Sequence, residues 1–364
     1  MQTIADGNNQ FAFDLYAQLR NEPGNLFFSP FSIHTALAMT ADGARGETLD
    51  EMVKVLHLPK EAQARLAAGD VSKFYAAGGN GYELAVANNL WGQKGFPWKA
   101  DFLERQRMHY GAELTQMDFT DEANREVARQ TINASVEKAT KDRIKELLRK
   151  EPKPDLTEST MLVLTNAIYF KGQWPLAFEK MHTRDAPFTL KDGSKKNVPL
   201  MGKRAGFKYM ETEQFQAVEL PYRGNEISMM VLLPRKHDGL LEMEKELNST
   251  NVANWTKGMV AEDVALNLPK FKIEQRFDLA KTLDAMGMPL AFTPKLADFF
   301  GMVNLDAASW RIWISKVIHQ SFVEVNEEGT EAAAATAVIM GATPVTIEMP
   351  VKPKQFRADH PFVY

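Results

Sequence analysis

The chain reads as one mixed α/β domain of the α+β kind, and two observations predict it. Helical periodicity dominates residues 1–160, while runs of β-branched and aromatic residues with strand character dominate 161–364. No composition shift or linker separates the two stretches, so a single domain over 1–364 is expected. The length of 364 residues, with 45% hydrophobic and 25% charged residues, is ordinary for a large globular unit. No apolar run approaches the roughly 18 residues of a membrane span.

The elements follow in order. Phe11, Phe13, Leu15, Tyr16 and Leu19 predict an amphipathic first helix and no targeting segment. Ser29 precedes Pro30 and the apolar Ile33, Leu37 and Met39, so Ser29 caps a helix that ends near Gly43. The stretch Ala76-Ala77-Gly78-Gly79-Asn80-Gly81 reads as a turn. From Asn124 to Lys150, Val127, Ile132, Val136, Ile144, Leu147 and Leu148 recur at helical spacing among charges, predicting a surface helix or a pair of helices. Met161 to Phe170 is a near-continuous apolar run, hence a buried strand, and Asn166 inside it requires a hydrogen-bond partner.

Further on, Val218 to Tyr222 and Ser228 to Leu233 flank Gly224-Asn225 as a hairpin. Val264 to Leu268 is another strand, and Leu279, Leu283 and Met286 form a helix that Gly287 ends. Phe322 to Asn326 is a strand that leads into the run Glu327-Glu328-Gly329-Thr330-Glu331-Ala332-Ala333-Ala334-Ala335-Thr336-Ala337. That run conflicts with its surroundings. Its alanines favour helix, yet a strand precedes it, and prolines at 344, 350 and 353 follow. At period two it sends Thr330, Ala332, Ala334, Thr336 and Val338 to one face, which suits a strand that enters a sheet. A local conflict of this kind marks a switch candidate.

Chemical motifs are mostly missing. The sequence holds no phosphate-cradling loop, dinucleotide fingerprint, His-Glu-x-x-His or nucleophile elbow, so an enzyme is not expected. The seven histidines show no metal-ligand spacing, and no cysteine is present, so neither a metal, a cofactor nor a disulfide is expected. A net charge of -4 gives no reason for a nucleic-acid or heparin-like partner, and the short clusters Lys195-Lys196 and Lys203-Arg204 read as solvated surface.

Taken in order, Asn25-Leu26-Phe27-Phe28-Ser29-Pro30-Phe31-Ser32-Ile33, Gly43-Ala44-Arg45-Gly46-Glu47-Thr48, Ala87-Asn88-Asn89-Leu90-Trp91 and Thr165-Asn166-Ala167-Ile168-Tyr169-Phe170-Lys171-Gly172-Gln173-Trp174 make up the first landmarks of a family pattern. Glu219-Leu220-Pro221-Tyr222, Leu268-Pro269-Lys270-Phe271, Gly287-Met288, Ala297-Asp298-Phe299, the 327–337 run and Phe356-Arg357-Ala358-Asp359-His360-Pro361-Phe362 complete it. The chain resembles a serpin over nearly its whole length, with a hinge of the kind found in prokaryote-like or plant-like members. Ser135 stands where the family usually has a tryptophan, and Phe300 where it has a serine.

The resemblance implies a fold of three β-sheets with about eight to nine helices, an exposed reactive loop at about 338–355 and a hinge over 327–337. It further implies suicide inhibition of a serine or cysteine protease: the loop is cleaved, an acyl-enzyme forms, and the loop inserts as a strand. At the strand rise, about fourteen inserted residues span on the order of 45 Å. Small residues at Thr330, Ala332, Ala334 and Thr336 are what inhibitory members have. A non-inhibitory carrier, chaperone or storage protein of the same fold is the alternative.

By the same resemblance Ser29, Ser32, Asn166 and His319 form a hydrogen-bonded cluster beneath the sheet centre, and Trp174 sits where the loop first enters. About fourteen residues past Gly329 lies Thr343, before Pro344, whose tertiary amide makes Thr343-Pro344 a poor protease substrate. Ala342-Thr343 is therefore the expected reactive bond, suiting an elastase-like or subtilisin-like enzyme; Met340-Gly341 and sites near Ile347 or Met349 stay open. No arginine lies in the central loop, and Lys352 precedes Pro353. The family implies an extracellular, monomeric protein with a risk of polymerisation or strand swapping. The sequence stops at Tyr364 inside the final signature, where the family continues through two more strands, so a C-terminal truncation is expected.

Overall fold

The computed structural model describes residues 2–304, 311–330 and 352–364. In chain order the elements begin with α1 (Gln2–Leu19), α2 (Pro30–Ala41), α3 (Gly46–Val55), α4 (Ala62–Ala76), β1 (Tyr82–Gln93), α5 (Ala100–Arg105), β2 (Leu114–Met117), α6 (Glu122–Ala139) and β3 (Leu162–Gln173). Next come β4 (Arg184–Thr189), β5 (Lys195–Glu211), β6 (Phe215–Pro221), β7 (Ser228–Pro234), α7 (Leu240–Lys245), α8 (Ser249–Gly258) and β8 (Val260–Pro269). The last are β9 (Phe271–Asp278), α9 (Ala280–Met286), β10 (Ile314–Asn326), β11 (Gly329–Thr330) and β12 (Lys354–Arg357).

Two compact units emerge. The first holds residues 1–78, 83–169 and 273–323. Its core packs Phe11 and Leu15 of α1 with Ile33, Leu37 and Met39 of α2 and with Leu279 and Leu283, while a second cluster gathers Ile132 and Val136 of α6 with Val163, Ala167 and Ile318. Ser29 caps α2 by accepting a hydrogen bond from the Ser32 N–H, and Pro30 occupies the first turn, where its missing N–H costs nothing.

The second unit holds residues 79–82, 170–272 and 324–364. Its β6–β7 hairpin turns through Gly224 and Asn225, both at positive φ, as the sequence indicates. Phe215, Ala217 and Leu232 bury one face of it against Met243 and Met259.

Two expectations need revision. The three sheets implied by resemblance form two continuous six-stranded arrays among the described residues, ordered β2-β1-β3-β11-β10-β9 and β12-β8-β5-β6-β7, with β4 on β5. The physical reason is β5: one unbroken strand pairs with β4 and β8 and then, at its far end, with β6. The predicted helical stretch 124–150 is also shorter, because α6 ends at Ala139. Lys141 and Asp142 take positive φ, and the Asn133 amide both accepts from Leu148 N–H and donates to Leu148 O. Ile144, Leu147 and Leu148 are thus buried from an irregular segment whose backbone groups are satisfied by side chains.

Candidate functional site

Strand register builds the first cluster, which lies within the first unit. β3 and β10 run parallel from Leu162 and Ile314 to Tyr169 and Phe322, and this register makes Asn166 and His319 direct partners. Both are buried. The Ser29 N–H donates to His319 Nε2 at 3.1 Å, so that nitrogen is an acceptor and the ring proton sits on Nδ1, which donates to Asn166 Oδ1. Asn166 Nδ2 then donates to Ser32 Oγ at 2.5 Å and to Asn88 Oδ1.

The chain of bonds works only for a neutral imidazole. Burial pulls the His319 pKa down to about 3 despite the opposing bond to Asn166. Phe277 stacks over the ring at 6.3 Å, and the Ser321 hydroxyl donates to Phe27 O, so β10 is tied to the segment that leads into α2. Ser29, Ser32, Asn166 and His319 are therefore brought together. Asn88 escaped the sequence reading, although a polar side chain beside Ala87 and Leu90 in a strand was the available signal.

A second site lies within the second unit, around the start of the hinge. Gly329 and Thr330 form β11, antiparallel to β10 through Val325 and Asn326 and to β3 through Gly172 and Gln173. Only glycine fits position 329, since a Cβ there would lie 2.0 Å from the Gly172 carbonyl oxygen. Thr330 is buried and shares a 2.6 Å hydrogen bond with the Tyr222 hydroxyl.

Trp174 holds the turn before β11. Its backbone N–H donates to Glu328 O and its indole N–H to Asn326 O, while its ring stacks on Tyr222 at 4.7 Å and nearly parallel. Glu327 is buried; burial would raise its carboxyl pKa, but Lys270 at 2.8 Å and Thr183 at 2.8 Å hold it below the ordinary value. Glu328 pairs with Lys180 at 3.4 Å. Tyr222 was missed as a site residue, although it sits in the quoted Glu219 to Tyr222 motif. The hinge positions Glu331, Ala332, Ala333, Ala334, Ala335 and Thr336, and the reactive-bond candidates Met340, Gly341, Ala342, Thr343 and Pro344, lie outside the described residues.

Comparison with known proteins bears on the family and the fold. The family profile described as Serpin (serine protease inhibitor) matches residues 6–364. The leukocyte elastase inhibitor of Xenopus laevis is 38% identical over 381 residues, covering 100% of this chain and 95% of that protein. Serpin48 of the insect Tenebrio molitor superposes with a TM-score of 0.86 at 31% identity, over 99% of this chain and 93% of that one. Human thyroxine-binding globulin in complex with thyroxine superposes with a TM-score of 0.84 at 26% identity, over 99% of this chain and 92% of that one. With the ordered landmarks, the fold and a full-length family match in agreement, this chain belongs to the serpin family of serine protease inhibitors.

Proposed function

We propose that this serpin inhibits a serine or cysteine endopeptidase by a single-use conformational trap. One observation carries the reading: Gly329 and Thr330, where the small residues of the hinge begin, already pair with β3 on one side and β10 on the other. Continuing that register residue by residue would bring Ala332 level with Phe170 and Thr336 level with Asn166 and His319. Insertion must therefore begin to separate β3 from β10 at Ala333, level with the paired Tyr169 and Phe322, and on reaching Thr336 it must break the His319 to Asn166 bond. The buried network is a latch on the opening of the sheet.

The chemistry belongs to the protease. Its nucleophile attacks the reactive-bond carbonyl, the C–N bond breaks, and a proton passes to the departing amine, which leaves the hinge side joined to a serine enzyme as an ester or to a cysteine enzyme as a thioester. Insertion of the freed loop then adds a paired strand, at about 3.3 Å per residue, and displaces the tethered protease. The uninserted state persists because a kinetic barrier protects it.

Ala342-Thr343 is the proposed reactive bond, and an elastase-like enzyme the proposed target, with a subtilisin-like one second. The small side chains at this bond and the name of the leukocyte elastase inhibitor relatives support the same choice. Incubation with elastase, chymotrypsin, subtilisin, trypsin and papain, followed by denaturing gel and intact mass, tests this. A heavy adduct stable to denaturation, with a released C-terminal fragment, is expected with elastase. Cleavage without any adduct across the panel would favour the second reading, a carrier, for which the similarity to thyroxine-binding globulin is the supporting observation.

A further inference from the structure

Outside the inhibitory machinery, His237, Asp359 and His360 converge within the second unit, each offering one ligand atom, with all three atoms within 4.8 Å of one another. His237 lies in the turn between β7 and α7, and the other two follow β12. His360 Nε2 lies 2.7 Å from Pro234 O, and a carbonyl oxygen only accepts, so Nε2 carries the proton. In the neutral ring Nδ1 then presents its lone pair to Asp359 Oδ1 at 2.9 Å. Two acceptors at that distance require a cation, either a second ring proton or a metal ion.

The third donor discriminates between them. His237 Nε2 approaches the same Oδ1 at 3.9 Å, and its ring lies 4.6 Å from the His360 ring. An imidazolium gains nothing from a second imidazole at its side, whereas a transition metal takes both nitrogens. Arg357 Nε holds the other carboxylate oxygen at 2.9 Å, which leaves Oδ1 as the ligand atom. In a tetrahedral site with bonds of about 2.0–2.1 Å, ligand atoms lie roughly 3.3 Å apart, within about half an ångström of the separations to Oδ1. His360 also carries the outer support typical of a metal ligand, its remaining N–H fixed on a backbone carbonyl. His237 is exposed, so the site is open to an ion from solvent.

We infer that His237 Nε2, Asp359 Oδ1 and His360 Nδ1 form a site for a zinc-like divalent ion, which clips the segment after β12 to the β7–α7 turn. Histidine spacing gave no sign of it because the donors come from two segments more than a hundred positions apart; Pro234 and His360 differ by 126. The site is independent of the inhibitory reading.

Titration of the full chain with zinc chloride at pH 7.5, followed by calorimetry, and with cobalt(II), followed by visible absorption, provides the test. One equivalent is expected to bind, with the cobalt spectrum of a tetrahedral site. His237→Ala and Asp359→Asn are each expected to weaken binding at least about tenfold, while His57→Ala, at the separate exposed pair with Asp14, leaves it unchanged. Zinc should raise the thermal transition of the unaltered protein and not that of His237→Ala, an exposed substitution that preserves the fold. Absence of saturable binding, or binding that survives either substitution, overturns the proposal.

Discussion

His319 and Asn166 stand opposite each other on two parallel strands, joined by a hydrogen bond from Nδ1–H to Oδ1. This single contact fixes the tautomer of the histidine, since Nε2 must accept from the Ser29 N–H. Protonation would place two donors face to face, and its consequence is a pH dependence.

Burial lowers the pKa of His319 to about 3, and that of His34, whose Nε2–H donates to Leu56 O, to about 4. Both folded values lie below the unfolded value near 6.5. The stability contributed by each neutral ring is therefore fully present above about pH 6.5 and falls as pH drops below it, down to the folded values. At pH 5 the loss is roughly 2 kcal/mol per ring. Urea unfolding at pH 7.5 and pH 5.0 should show this drop, and His319→Gln should show a smaller one. An equal drop in that variant would remove His319 as a cause.

On the proposed insertion, Ala332→Arg would place a long cation on the same face as the buried Thr330, two residues before it. Burying that charge unpaired costs several kcal/mol, enough to make insertion slower than hydrolysis of the acyl-enzyme. The variant is expected to be cleaved at the same bond with no adduct surviving denaturation. Unchanged adduct yield on gels would show that insertion does not bury this position.

Gly329→Ala introduces a methyl group 2.0 Å from the Gly172 carbonyl oxygen. Backbone must move, and β11 should leave its place beside Gly172 and Gln173. A loss of about 1–3 kcal/mol is expected, together with amide exchange at Thr330 that becomes fast. Retained protection at Thr330 would contradict the tight pairing.

Tyr222→Phe removes only the hydroxyl that meets Thr330 and keeps the ring under Trp174. Loss of one buried hydrogen bond, with Thr330 Oγ1 left behind, should cost about 1–3 kcal/mol. Trp174 fluorescence should stay close to that of the unaltered protein, because the stacking survives. Tyr222→Ala, by contrast, should shift the emission and cost more.

Much of this protein is legible in its residues because several local rules agree. Ser29 with Pro30 marks a helix start by capping chemistry, and Gly224-Asn225 marks a hairpin by backbone conformation; both appear where expected. Asn166 announces a buried partner because an amide in an apolar strand must be satisfied. The stretch after Ala139 misled because Ile144, Leu147 and Leu148 keep helical spacing while the Asn133 side chain supplies the bonds that a helix would have made. Periodicity reports which residues are buried, not which groups satisfy the backbone.

The sequence by itself determined the fold class and, through its ordered landmarks, the family; it also sets small residues at alternate positions of the 327–337 run. Tertiary structure decided what those residues meet. It brought Asn88 into the His319 network, set Tyr222 against Thr330, and required glycine at 329 because another strand's carbonyl lies in the way. It also gathered His237 with Asp359 and His360. The reason is common to all four: each depends on the pairing or packing of segments far apart in the chain, and such register leaves no mark on local spacing.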